Sequence, residues 1–145
     1  MKKLTTNLML ATAALVVAAG AASAQTQALM TAQIPFEFRA GNQVMAPGTY
    51  QIDRLQSATA QPVFRLSNAH SGGSIMLLPQ APVDPRKQWA EGEPKLLFAC
   101  TSGSCSLAQI WSGSESYAYK FRAPKPGQGE TAVLREIPLQ SGKGE

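Results

Sequence analysis

Downstream of residue 33 the chain alternates apolar and polar side chains over short stretches. Ile34, Phe36 and Phe38 alternate with Pro35, Glu37 and Arg39, and a period of two is the signature of a strand with one buried face. Pro35 has no N–H, which places this strand at a sheet edge or makes Pro35 its start. Gly41-Asn42 is a turn signal, and Val44-Met45 makes a brief second strand. Pro47-Gly48 fits the centre of a type II turn, since Pro fixes φ and Gly accepts a positive one. Tyr50 and Ile52 then alternate with Gln51 and Asp53. A strand over 63–69 turns Phe64 and Leu66 to one face, and His70-Ser71-Gly72-Gly73 closes it with a turn. Residues 74–78, SIMLL, form a continuous apolar run that suits a strand buried on both faces.

Residues 79–94 break the pattern. Pro79, Pro82, Pro85 and Pro94 interrupt any periodicity. Asp84-Pro85 can open one helical turn as N-cap and first helical residue, carrying Trp89 and stopping before Gly92. Strands resume over 95–101 and 104–112, joined at Ser102-Gly103. Tyr117, Tyr119 and Phe121 alternate with Ala118, Lys120 and Arg122. A last strand over 131–137 ends at Pro138. Neither a long amphipathic helix nor an internal repeat interrupts this series. About 7–9 short strands predict an all-β domain over 33–138, an antiparallel sandwich or a flattened barrel with at most one helical turn. Residues 25–32 and 139–145 are expected to be a flexible start and a disordered tail.

The first 24 residues follow another logic. Lys2 and Lys3 precede an apolar stretch, LMLATAALVVAAGAA, and Ala22-Ser23-Ala24 supplies small residues ahead of Gln25. This is the three-part pattern of a secretory signal peptide, helical over its apolar part, with cleavage between Ala24 and Gln25. The stretch is short and Ala-rich for a bilayer span, which needs about 20 strongly apolar residues, and no second span follows. The expected location is the periplasm or the extracellular space. Cleavage removes two of the 13 basic residues and none of the 9 acidic ones, so the net charge falls from +4 to +2. The remaining cations are scattered along the sequence, which reads as a solvated mixed surface. A nucleic-acid partner would call for a clustered basic face.

Cys100 and Cys105 are the only cysteines. An even count in an oxidising compartment favours a disulfide. With Ser102-Gly103 as a two-residue hairpin loop, Cys100 faces Cys105 at a non-hydrogen-bonded pair, about 4.5–5.5 Å apart at Cα. A redox-active dithiol usually has two intervening residues at a helix start; here four intervene on a strand turn.

Chemistry-bearing residues are few. His70 is the only imidazole, and it can be at most one member of a metal site. There is no Gly-x-Ser-x-Gly elbow and no phosphate loop. Glu91, Glu93, Glu115, Glu130 and Glu136 are candidates for an acid/base pair, but spacing alone does not bring any two together. No catalytic residue, cofactor or metal ligand is therefore assigned. Trp89, Trp111 and Tyr117 are candidates for a recognition surface; the alternative for Trp111, with Tyr119 and Phe121, is core.

Three segments, IPFEFRAGNQVMAPGTYQIDRL (34–55), SIMLLP (74–79) and KLLFACTSGSCSLAQIW (95–111), carry a resemblance. Together they resemble a loosely defined group of small exported bacterial β-proteins, frequent in acidobacteria. Members open with a PF-F--G---LPAGTY strand–turn–strand and later carry an L-F------FL--IW hairpin. Here Met45-Ala46-Pro47-Gly48 departs from Leu-Pro-Ala-Gly, and Ser106-Leu107-Ala108 stands where Phe-Leu-Ser/Ala is usual. The group has no established activity, so the resemblance implies an exported β-domain and no mechanism. The expected function is non-enzymatic binding of an envelope or extracellular protein or polymer. The alternatives are a carrier of a small apolar ligand in a barrel cavity and, last, an exported hydrolase.

Overall fold

The computed structural model describes residues 27–56, 61–89, 92–113 and 115–141. The signal segment and its cleavage pair Ala24–Gln25 lie outside them. The fold is all-β, with two sheets packed as a sandwich and no closed barrel. The first sheet contains β1 (Gln27–Ile34), β4 (Gly48–Gln56), β5 (Pro62–Asn68), β6 (Ser74–Leu77) and β12 (Gln140–Ser141), in the order β12-β1-β4-β5-β6. The second runs β11 (Val133–Pro138), β8 (Lys95–Thr101), β9 (Ser104–Trp111), β10 (Ala118–Lys120), β7 (Ala81–Val83). It also holds the hairpin of β2 (Phe38–Ala40) and β3 (Gln43–Met45). Among the described residues the one helical element is a 3₁₀ turn at Lys87–Trp89, and no helix is long and apolar enough to cross a membrane.

The chain changes sheet next to Pro35, Pro47, Pro79 and Pro138. The physical reason is common to all of them. A proline cannot donate to a ladder and holds φ near −65°, so it ends pairing where the backbone must turn away. Ile34, Phe36 and Phe38 accordingly do not share one strand: β1 ends at Ile34, and β2 starts at Phe38 in the other sheet. Pro35 marks a corner, and β1 is interior, between β12 and β4.

Besides the expected series, strands form at both ends of the domain (β1 and β12) and in the proline-rich excursion (β7). β1 starts at Gln27, inside the stretch expected to be flexible, and buries Met30, Ala32 and Ile34. The expected tail contributes buried Leu139 and β12, which pairs Met30 with Ser141. Alternation of Met, Ala and Ile is a weak signal because Ala adds little to it. The run at 74–78 is not buried on both faces: β6 is an edge strand, with Met76 63% and Leu78 68% exposed. Gly48 does not adopt a positive φ, so the type II turn does not form; a Cβ there would meet the Asn68 amide at 3.2 Å. Nor is the second sheet wholly antiparallel, because β2 runs parallel to β9.

Rings fill the space between the sheets. Phe38 meets Tyr50 and Phe98 edge-on at 5.2 and 5.3 Å, and Phe64 meets Tyr119 and Phe121 at 5.0 and 5.7 Å. Such contacts add about 0.5–1.5 kcal/mol each beyond the area they bury. With that interior filled, the carrier reading loses its barrel. A smaller apolar cluster of Trp89, Leu97, Trp111, Ala118 and Val83 covers part of the second sheet's outer face.

Candidate functional site

The sequence-nominated residues fall at separate places. Cys100 and Cys105 are bonded to each other across the β8–β9 hairpin, with Cα atoms 3.9 Å apart, closer than expected. Ser102 and Gly103 both take positive φ, 41° and 86°, the conformation a two-residue type I′ loop requires. His70 is exposed, and its backbone N–H donates to Asn68 Oδ1 at 2.9 Å. The nominated carboxylates are engaged apart from one another. Glu115 pairs with Arg54, Glu136 pairs with Arg86 and Lys95, and Glu130 accepts a hydrogen bond from the Ser102 hydroxyl. Glu93 is exposed, and Glu91 lies outside the described residues. Among the described residues no His, Cys, Asp and Glu gather into a metal-holding group.

The recognition surface of Trp89, Trp111 and Tyr117 does not form. Trp89 is 0% and Trp111 3% exposed, and the two rings stack at 5.9 Å with planes 19° apart. The proline-rich excursion folds back over the sheet because Trp89 is its apolar anchor. Its Nε1 donates to Glu136 Oε1 at 2.9 Å, which satisfies the polar edge of a buried ring. Burial pushes the Glu136 carboxyl up, but the bond from Trp89 and the charges of Lys95 and Arg86 outweigh it and hold its pKa low. Tyr117 alone stays at the surface, 37% exposed, and its hydroxyl lies 3.3 Å from that of Tyr119.

A different site emerges on the rest of that outer face. Strand β9 changes partner along one edge: Cys105 and Ser106 pair with β2, whereas Gln109 and Ile110 pair with β10. Between them Ala108 is an extra residue, because Phe98 opposes Leu107 and Leu97 opposes Gln109. This bulge turns both Leu107 and Ile110 into the core and leaves the Ala108 carbonyl to accept from Phe121 N–H at 2.8 Å. The sheet forks there, and the fork is a cleft of about 590 Å³.

Cations line it. Arg39 comes from β2, Lys120 from β10, and Arg122 and Lys125 from the segment after β10. Phe38, Tyr119 and Phe121 point into the core, so their neighbours Arg39, Lys120 and Arg122 are left on the outside. Among the described residues no carboxylate lines the cleft and none of the four cations is in an ion pair. The amides of Asn42, Gln80 and Gln109 complete the lining. Among the described residues Gln109 Oε1 is buried and has no hydrogen-bond partner. A buried acceptor without a donor costs about 1–3 kcal/mol. The sequence showed these cations only as scattered residues, because residues 39 and 120–125 meet through the parallel β2–β9 pairing. The outward phase of Arg39, Lys120 and Arg122 beside Phe38, Tyr119 and Phe121 was the available signal.

No protein-family model matches the chain, and no curated protein or solved structure is significantly similar to it.

Proposed function

We propose that this chain is an exported β-sandwich that binds an anionic partner of the envelope or extracellular space through the forked cleft, and carries out no chemistry there. One observation carries the reading: Arg39, Lys120, Arg122 and Lys125 converge on one cleft of about 590 Å³ with no carboxylate among its described lining residues. Proteins normally intersperse the two signs of surface charge, and a single-sign concavity raises the local concentration of opposite charge. Like charges held together also weaken the unbound fold, so an anion in the cleft stabilises it by mass action. The signal-peptide pattern and the resemblance to small exported β-proteins support the location.

The test compares equal changes of net charge. Binding of dextran sulfate is measured at low and high salt, with neutral dextran as control, for the unmodified protein, R39Q/K120Q and K87Q/R135Q. Lys87 and Arg135 are exposed cations outside the cleft. The cleft variant is expected to lose about tenfold in affinity at low salt, as two modest ion pairs imply, and the control pair much less. Equal losses in both variants would mean that net charge, not this site, holds the polymer.

A further inference from the structure

We infer that the ligand of the cleft is an acidic polypeptide segment in extended form, added as a strand beside residues 122–125; this rests on the cleft being the binding site. Two features of the lining go beyond charge. The first is spacing. Lys120 ends β10 and Arg122 follows two residues on; both are exposed, with the buried Phe121 between them. An extended backbone rises about 3.3 Å per residue, which sets the two cations roughly 7 Å apart at Cα. Carboxylates at alternate positions of an extended peptide repeat at that same interval, and cross-strand pairs of opposite charge are favourable. Arg39 stands on the other arm of the fork, and Lys125 comes three residues after Arg122.

The second feature is open backbone. β10 is paired with β9 and β7 as far as Lys120, and Phe121 N–H donates to the Ala108 carbonyl. Beyond it, among the described residues, no backbone group of residues 122–125 has a hydrogen-bond partner. Ala123 and Lys125 each precede a proline, which steers both toward extended angles, and none of the four residues has a positive φ. Successive residues of an extended chain turn their N–H and C=O groups to opposite sides. Pro124 and Pro126 leave one side without donors, so Ala123 and Lys125 form the side to which a strand can add. Arg122 and Lys125 repel a cationic strand there and attract an acidic one. The exposed amides of Asn42 and Gln80 both donate and accept beside it. A polyanion without a peptide backbone would meet the cations and leave the ladder positions of Ala123 and Lys125 unused.

The experiment titrates the protein with a short peptide of alternating glutamate and threonine, the same peptide N-methylated along its backbone, and polyacrylate of equal charge. The peptide is expected to bind first. N-methylation keeps every charge but removes the N–H donors, and should weaken it about tenfold, as two modest hydrogen bonds imply. Ala123→Pro removes one donor of the open side; it is expected to weaken the peptide about fivefold and to leave polyacrylate unchanged. Polyacrylate or the N-methylated peptide binding as tightly as the peptide would overturn the strand-addition inference while leaving an anion site. So would an Ala123→Pro protein that folds and binds the peptide as before. Should R39Q/K120Q alter neither the peptide nor polyacrylate, the cleft itself is not the site and both readings fall. The comparison among ligands on the unmodified protein keeps the test decisive even if Ala123→Pro folds poorly.

Discussion

Arg39 stands opposite Ser106 in the parallel β2–β9 pairing, one residue beyond Phe38 opposite the bonded Cys105. The disulfide therefore fixes the end of the strand against which the first cleft cation is registered. On the chain-entropy model so short a loop contributes about 2 kcal/mol. C100A/C105A is expected to lower the denaturation midpoint accordingly. It should also weaken dextran sulfate, since a β9 free to slip no longer sets Arg39 opposite Ser106. A variant that loses stability yet binds as before would separate the bridge from the cleft.

Trp89 belongs to a segment that is mostly turn and proline, yet its removal is expected to behave as a core deletion. The ring is fully buried against Trp111, and its Nε1 is bonded to Glu136. Trp89→Ala should cost about 3–5 kcal/mol, read by denaturant unfolding, and the intact protein should show the blue-shifted emission of buried indoles. A cost below 1 kcal/mol, as for an ordinary surface substitution of about 0.5 kcal/mol, would return Trp89 to the surface.

Much of the sandwich was legible in the sequence for local reasons. The Cys100–Cys105 hairpin follows from a two-residue loop that sets its own register, and inward Phe64, Tyr119 and Phe121 follow from period two. What stayed hidden depends on pairings distant in the chain. The unbroken reading of 34–38 missed a corner at Pro35, because a corner and a strand start look alike when only the missing N–H is visible. SIMLL looked buried because composition does not show that β6 has a neighbour on one side only. The cleft required the parallel β2–β9 contact, which no local pattern announces, and so its cations looked dispersed.

Glu136 makes the excursion sensitive to acid. Its carboxylate holds Trp89, Arg86 and Lys95 together, and its pKa lies below the ordinary carboxyl value of 4.5. The sign follows from linkage: a carboxyl whose pKa is lowered by folding contributes stability that is present above its unfolded value and lost as pH falls through the folded one. The thermal midpoint should thus decline as pH drops below 4.5, with indole emission moving red. Glu136→Gln should be less stable near neutrality and show a flatter decline in the same window. Parallel pH profiles for the two proteins would remove Glu136 from the acid response.

At the alkaline end the decisive group is Tyr119. Arg54 of β4, in one sheet, pairs with Glu115, which follows β9 in the other, and Arg54 also lies 5.2 Å from the centre of the Tyr119 ring. Burial, the hydrogen bond with Tyr117 and the charge of Glu115 raise the Tyr119 pKa well above its ordinary 10.0, with the Arg54 charge opposing them. Folding thus favours the neutral phenol. Stability is unaffected below 10.0 and is lost as pH rises from there toward the folded value. The protein contains three tyrosines, so the Tyr119 signal is isolated by subtracting the phenolate absorbance of Tyr119→Phe from that of the unmodified protein. The difference should stay flat past pH 10 and rise only with loss of the fold, monitored in parallel by circular dichroism. Glu115→Gln removes the charge that Arg54 is paired with, at a cost of about 1.5–3 kcal/mol for a charge-assisted bond, and should bring the rise to lower pH. A difference signal that titrates near 10 while the fold is intact would show that the Tyr119 hydroxyl is open to water, and with it the end of the sandwich that Arg54 and Glu115 close.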